Sequence, residues 1–234
     1  MSWFRFGVWL GQKKGKRMSE TGRSLAAEGA QATDIRGALH YPHFLDEAAQ
    51  TNILAALRAV VAEAPLVQPM TAWGKPMSVR MTAAGRVGWV IDRGKYRYAE
   101  SHQGTGRRWP AIPAQVLAVW HSVAGWRDDP DCCLINWYAE GAKMGLHRDS
   151  DEGEDAFAAP VVSISLGDPA RFRIGGPERK GPTESVILSS GDVLVMGGAA
   201  RLAYHGVDRV YHGEGTLIPG GGRLNLTLRV VKSA

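Results

Sequence analysis

Two cysteines are all that the 234 residues contain, and Cys132 and Cys133 are neighbours. Adjacent residues cannot adopt normal disulfide geometry, so a disulfide-stapled fold is excluded. Both thiols are expected to be reduced, in a cytoplasmic protein. No C-x-x-C pair occurs, which removes the zinc-ribbon and dithiol redox readings. No apolar run approaches the roughly 20 residues of a membrane span, and no membrane partner is expected. Internal repeats are absent too. What remains is 44% hydrophobic and 22% charged residues, the composition of a globular domain with a full two-layer core.

Charge of one sign is also scarce where it would matter. The net charge is +5. Residues 1–40 hold seven basic residues and three acidic ones, so they carry +4 and the remaining chain is near +1. A basic total of this kind suggests an anionic partner. Here it sits mostly in the N-terminal segment. Any basic surface on the folded body must be local, drawn from Arg80, Arg86, Arg93, Lys95, Arg97, Arg107, Arg108, Arg171, Arg173 and Arg179. Near the N-terminus, Trp3, Phe4, Phe6, Val8, Trp9 and Leu10 precede the Lys13–Arg17 run. That is the reverse of a secretory signal. Residues 1–36 are therefore expected to be a flexible basic tail, or a leader ahead of a true start at Met18.

The rest, 37–234, reads as one domain. Leu45, Ile53, Leu54, Leu57, Val60 and Val61 recur at helical spacing over Leu45–Ala64, and Pro65 ends that helix. A second helix is expected from Pro113 to about Ala124. Between them, residues 65–110 are rich in Gly, Pro, Met and aromatics, with short strand-like runs such as Met77–Met81 and Val87–Ile91 between Gly-containing turns, and read as a poor core and an irregular surface region. From Asp131 the pattern is β throughout. CCLINWY, VVSISL, RFRI, SVILSS, DVLVMG and RLNLTLRVV are short strands between Gly, Pro and Asp turns, as in a sandwich or jelly roll.

Three segments carry chemistry. In the last strand Leu224, Leu226, Leu228 and Val230 share one face, and Arg223, Asn225, Thr227 and Arg229 the other. Alone, this reads as an edge strand with a polar face in water. The same face could line a cavity, where guanidinium forks grip carboxylates. In Leu134–Tyr138, Asn136 and Tyr138 share a face. In Gly145–Asp151, His147 and Asp149 stand two apart and point the same way if extended. His205 lies 58 residues after His147 on another expected strand. His-x-Asp followed by a distant His is the sequence form of the facial triad that holds Fe(II) and leaves sites open. A triad, an Asn/Tyr pair and an Arg/Asn/Arg strand are together the parts of a 2-oxoglutarate-dependent oxygenase.

The blocks CLINWYAEGAKMGLHRDSDE, APVVSISLGDPARFRIGG, SGDVLVMGGAARLAYHGV and GGGRLNLTLR, in that order, resemble the AlkB family of nucleic-acid oxidative demethylases. A weaker continuation runs through PMSVRMTAAGRVGW, YRYAES and WPAIP, so the resemblance spans roughly 69–230. It implies a mainly β fold with flanking helices. Its core would be a double-stranded β-helix (jelly roll) over about 131–231, with an N-terminal helical region and a nucleotide-recognition lid over about 65–110. It implies His147, Asp149 and His205 as iron ligands. Asn136, Tyr138, Arg223, Asn225 and Arg229 would be the 2-oxoglutarate contacts, the two arginines gripping its two ends. Trp89 would stack on a flipped base, with Tyr96 near the lesion's backbone. Asp151 would read the exocyclic amine, and Arg179 would approach the nucleic acid. A base must leave its stack to reach a buried iron, and a carboxylate favours a cationic alkylated base.

The implied reaction oxidises N-methyl groups of 1-methyladenine or 3-methylcytosine in DNA, with single strands preferred. It consumes O2 and releases succinate, CO2 and formaldehyde. A monomer is expected. The competing readings are the same chemistry on RNA or a substrate other than nucleic acid, and a cupin-like metal-binding module without turnover. The module gives no reason for the Arg223/Asn225/Arg229 face.

Overall fold

The computed structural model describes residues 31–71, 74–92 and 95–231. The expectations for Met18, the Lys13–Arg17 run and Arg93 lie outside the described residues. Helix α1 spans Glu47–Glu63. It starts because the Asp46 carboxylate accepts from the Ala49 amide at 2.7 Å, a cap worth about 1 kcal/mol. Its buried side, Ile53, Leu54, Leu57 and Val60, is the apolar stripe read from the sequence. Helix α2, Ala114–Val123, buries Val116, Val119 and Trp120.

Thirteen strands are present among the described residues: β1 Thr33–Ile35, β2 Ala38–Tyr41, β3 Val79–Gly85, β4 Gly88–Asp92, β5 Lys95–Ala99, β6 Cys132–Tyr138, β7 Met144–His147, β8 Val161–Gly167, β9 Ala170–Ile174, β10 Glu184–Leu188, β11 Val193–Met196, β12 His205–Val210 and β13 Arg223–Arg229. The major sheet runs β1-β2-β11-β8-β13-β6-β3, and the minor sheet β10-β9-β12-β7. All described pairings are antiparallel. The β4–β5 hairpin forms its own two-stranded sheet. The outer face of the major sheet packs on the helices: Leu224, Leu226, Leu228, Ile164 and Ile135 share one apolar cluster with Leu57 and Trp120. The inner face meets the minor sheet, where Phe172, Ile174 and Val207 join Val79, Met81 and Leu134. This is a mainly β fold of two facing sheets with flanking helices, as expected.

Several expectations need correction. Strand β13 is not an edge strand, because β8 pairs with one side of it and β6 with the other. Its polar residues therefore face the interior between the sheets. The boundary at residue 37 falls inside a hairpin, since Thr33–Ile35 pairs with Ala38–Tyr41 and Ile35 is buried. Residues 65–110 are not wholly surface. Strand β3 pairs with β6 along its whole length, and Val79, Met81, Ala83, Ala84, Val87 and Trp109 are core residues. The part free of both main sheets is the β4–β5 hairpin. Of the suggested basic set, Arg86 pairs with Asp131, and Arg171 and Arg173 with Asp208. Those three guanidiniums already have counter-charges.

Cys132 and Cys133 are fully buried and unpaired with each other. Burial pushes Cys132 up to about 12, and Cys133 above its usual value as well. Leu226 is fully buried between the helices and the major sheet, whereas Leu39 is exposed. Leu226→Ala should lower unfolding free energy by about 2–5 kcal/mol through lost transfer and a residual cavity. Leu39→Ala should stay within about 0.5 kcal/mol. Urea denaturation of both variants checks the contrast; equal midpoints would contradict this packing.

Candidate active site

The polar face of β13 forms the floor of the site through its register. Arg223 lies opposite Tyr138 of β6, and Asn225 opposite Asn136 of β6 and Ser165 of β8. Thr227 lies opposite Leu134 and Ser163. Directly opposed residues on neighbouring strands project to the same face. One inner surface thus carries Arg223, Tyr138, Asn225, Asn136, Ser163 and Ser165. It lines a cavity of about 410 Å³ that also contains His147, Asp149, His205, Trp89, Tyr96, Asp151 and Arg179. Every residue expected to hold iron, 2-oxoglutarate or the base lines this cavity.

The minor sheet brings the two histidines together. His205 on β12 pairs in register with His147 on β7, and their ring centroids lie 4.5 Å apart. Gly206 permits that approach, because a Cβ there would sit 2.6 Å from the Met144 carbonyl oxygen. Nδ1 of His147 bonds to the Gly145 carbonyl at 3.0 Å, and Nδ1 of His205 to the Ala203 carbonyl at 2.9 Å. A carbonyl only accepts, so each Nδ1 carries the proton and each Nε2 presents a lone pair. One donor atom each from His147, Asp149 and His205 lie within 4.8 Å of one another. Two imidazoles and one carboxylate in this arrangement can hold a divalent metal with open positions.

The electrostatics suit that task. Burial alone would raise the Asp149 carboxyl. The Arg229 guanidinium, bonded through Nε at 3.0 Å and Nη2 at 2.8 Å, outweighs it and holds Asp149 well below the usual range. Burial lowers His205 to about 4, which keeps its ring neutral. A charged carboxylate and a neutral imidazole are the forms that ligate metal.

The two arginines of β13 are not equivalent. Arg229 is neutralised by Asp149 and, at 3.5 Å, by Glu152. Arg223 is 1% exposed, and its bonds go to neutral oxygens: Ser165 Oγ and the carbonyls of Asp168 and Leu188. Its Nε has no partner, nor has Asn136 Oδ1. Burial lowers the Arg223 guanidinium to about 10. Among the described residues no carboxylate lies within ion-pair distance of it, and Asp168 and Asp192 act on it only from farther off, so an anion can still be bound there. Asp168 supports this corner by accepting the amides of Gly213 and Gly215 at 3.0 and 2.9 Å and that of Gly222, which precedes Arg223.

Trp89 and Tyr96 come from the β4–β5 hairpin and stack with centroids 5.0 Å apart. The Trp89 indole N–H donates to Asp151 at 3.1 Å. Arg148, whose guanidinium lies 5.7 Å from the Tyr204 ring centroid, joins Arg179 in lining the cavity. Four contributors escaped the sequence reading: Ser163 and Ser165, Tyr98 and Glu152. The serines had a signal, since they alternate on an otherwise apolar strand. Glu152 had none, because it is one of several acids in a row.

A two-sheet β core presenting a two-histidine, one-carboxylate set beside a buried arginine without a direct ion-pair partner defines the class of non-haem iron oxygenases that take a dicarboxylate co-substrate. The family model of the 2OG-Fe(II) oxygenase superfamily matches residues 37–229. Within that superfamily the chain belongs to the AlkB family. It is 48% identical over 222 residues to the alpha-ketoglutarate-dependent dioxygenase AlkB homolog of Caulobacter vibrioides, covering 93% of this chain and 100% of that one. It is 39% identical to the alpha-ketoglutarate-dependent dioxygenase AlkB of Escherichia coli, covering 87% and 94%. The solved structure of OsALKBH1 superposes with a TM-score of 0.72 at 29% identity, covering 86% of this chain and all of that one. This chain is a 2-oxoglutarate-dependent dioxygenase that works with Fe(II) and O2. No helix among the described residues is long and apolar enough to cross a membrane.

The asymmetry of the arginines has a measurable result. A ligand at 100 times its Kd stabilises the protein that binds it by about 2.7 kcal/mol. With Mn(II) present, 2-oxoglutarate should raise the melting temperature of the wild type by that equivalent. Arg223→Met should lose the increment while keeping the Mn(II) response. An undiminished increment in Arg223→Met would show that the co-substrate is anchored elsewhere.

Proposed function

We propose that this chain is an oxidative demethylase of N-alkylated bases, of the 1-methyladenine and 3-methylcytosine type, in DNA. One observation carries the reading. Trp89, a flat aromatic face, and Asp151, a carboxylate, stand at the same cavity as the His147/Asp149/His205 set and are bonded to each other. An aromatic face holds a base that has left its stack. A carboxylate beside it favours the positive charge that alkylation at the pairing edge places on adenine or cytosine. A relative from Arabidopsis thaliana, 32% identical over 87% of this chain and named a DNA N(6)-methyladenine demethylase, supports the choice of a nucleobase over a small metabolite.

In this reading His147, Asp149 and His205 hold Fe(II). Bound there with 2-oxoglutarate and O2, the iron supplies the oxidant that hydroxylates the N-methyl carbon; the hemiaminal then releases formaldehyde, and succinate and CO2 leave. The residues do the rest. Arg223 binds one carboxylate of the co-substrate, assisted by Asn225, Asn136 and Tyr138. Arg229 keeps Asp149 ionised and aimed, and meets the co-substrate at its other end. The hairpin covers the base and excludes water, which strengthens every charge contact inside. Tyr96, Arg148 and Arg179 meet the strand that carries it. A single flexible strand, which brings its base without the cost of unpairing, is the preferred form. A monomer in the cytoplasm, with the thiols reduced, completes the reading.

Wild-type protein given Fe(II), 2-oxoglutarate and ascorbate should remove one methylene in mass from a short single-stranded DNA carrying 1-methyladenine. Omission of 2-oxoglutarate should abolish the change. Trp89→Ala should raise KM for the oligonucleotide by about tenfold or more, the worth of one stacked base. A methylated RNA converted faster than the matching DNA would move the substrate to RNA. Wild type that takes up iron and 2-oxoglutarate but leaves both oligonucleotides unchanged would reject the nucleobase reading.

A further inference from the structure

We propose that Glu152 and Tyr98 are a positioning pair that fastens the β4–β5 hairpin to the iron and co-substrate site, so that co-substrate binding and the seating of the hairpin reinforce each other. The inference rests on the reading above, in which Arg229 and Asp149 serve that site.

A two-stranded ribbon is marginally stable alone, and this one shares no strand pairing with either main sheet. Its position must come from side chains. Trp89 and Tyr98 are cross-strand partners, so they form one rung and project to one face. That rung is gripped by two consecutive residues. Asp151 takes the Trp89 indole, and Glu152 Oε1 takes the Tyr98 hydroxyl at 2.8 Å. The two acids differ in surroundings. Asp151 is exposed, whereas Glu152 is 1% exposed. Glu152 is further held by Arg201 at 3.4 Å and Arg229 at 3.5 Å. A buried carboxylate with two guanidiniums and a phenol is fully compensated, and removing one partner leaves the others unbalanced.

The network does not stop at the hairpin. Arg229 is shared between Glu152 and Asp149, and its Nη1 also donates to the Tyr98 hydroxyl at 3.4 Å. Arg201 donates through Nη1 to the Asp149 carbonyl at 2.9 Å and through Nε to the Ala159 carbonyl at 3.0 Å. The Tyr98 hydroxyl is therefore bonded to the same guanidinium that orients Asp149. A hairpin that swings out must withdraw the phenol from both Glu152 and Arg229. Conversely, an anion that settles against Arg229 acts on a group the hairpin helps to hold. Asp151 recognises the base in the proposed function; its neighbour Glu152 touches no base and acts through Tyr98 and Arg229.

The test uses Tyr98→Phe, which removes one oxygen and keeps the ring, in full-length protein with Mn(II). Hydrogen exchange is followed in Gly88–Asp92 and Lys95–Ala99, 2-oxoglutarate affinity by calorimetry, and stability by melting temperature. In the wild type, 2-oxoglutarate should slow exchange of these amides. Tyr98→Phe should lose that slowing and bind 2-oxoglutarate about tenfold more weakly, the scale of a hydrogen bond to a charged group. Glu152→Gln, which retains an acceptor for the phenol, should recover part of the slowing that Glu152→Ala lacks. A purely structural role would shift the melting temperature and leave the coupling between ligand and hairpin intact. Slowing and affinity both unchanged in Tyr98→Phe would overturn the pair. Wild type that binds 2-oxoglutarate with no change in the hairpin would overturn the coupling alone. Wild type that binds none would overturn the co-substrate site and the coupling with it.

Discussion

A carboxylate that must stay ionised inside a dry β core needs a cation at contact distance, and the pairing of Asp149 with Arg229 meets that need. Breaking such a buried pair costs about 3–5 kcal/mol, because the surviving charge is left uncompensated. Much of the architecture is arranged around it. Asp149 comes from the segment after β7 and Arg229 from the end of β13, so the pair draws the arm of the minor sheet onto the major sheet. Glu152 and Arg201 add a second buried pair alongside, and Tyr98 attaches the hairpin to both. The fold thus tolerates a cluster of buried charges because each has an opposite neighbour.

Arg223 is the exception, and its isolation has a use. Its hydrogen bonds to Ser165 and two carbonyls satisfy geometry without neutralising the charge. The same strand therefore carries one arginine already paired with a protein carboxylate and one without a direct ion-pair partner. Such a division follows from register alone. Six residues apart on a strand, both side chains face inward, about 20 Å of extended chain separating them. One end meets the metal set and the other meets the closed corner braced by Asp168.

How much of this was legible in the sequence depended on period and length. Strand β13 announced its two faces through strict alternation, and His147, Asp149 and His205 through their spacing; the structure gathers all three at one cavity. Alternation could not say which face meets water. A polar face inward and a polar face outward read alike, and only the pairing of β13 on both sides decides it. Strands β1 and β2 were missed because three or four residues give no period to detect. Strand β3 was read only as a short strand-like run, Met77–Met81, within a surface segment, because its small residues, Ala83 and Ala84, do not stand out as core. The pairing states of charges were the least visible. Arg86 and Arg223 look alike in sequence, yet one is bonded directly to Asp131 and the other has a buried Nε without a partner and feels Asp168 and Asp192 only from farther off.

The hairpin shows why that last gap matters for function. Its composition, aromatic and basic, suggests a surface that meets nucleic acid. Its attachment, however, is made by Tyr98 to a buried acid indistinguishable from its exposed neighbours in the sequence. Asp151 and Glu152 are consecutive, yet the chain bends at Glu152, and the first is exposed while the second is buried. One is left in the open cavity, where a base can compete for it with Trp89. The other is turned into the protein, where it is surrounded by Arg201, Arg229 and Tyr98. Two adjacent acids thereby separate recognition from support, and the distinction arises from where the chain places each carboxylate rather than from any difference in their chemistry.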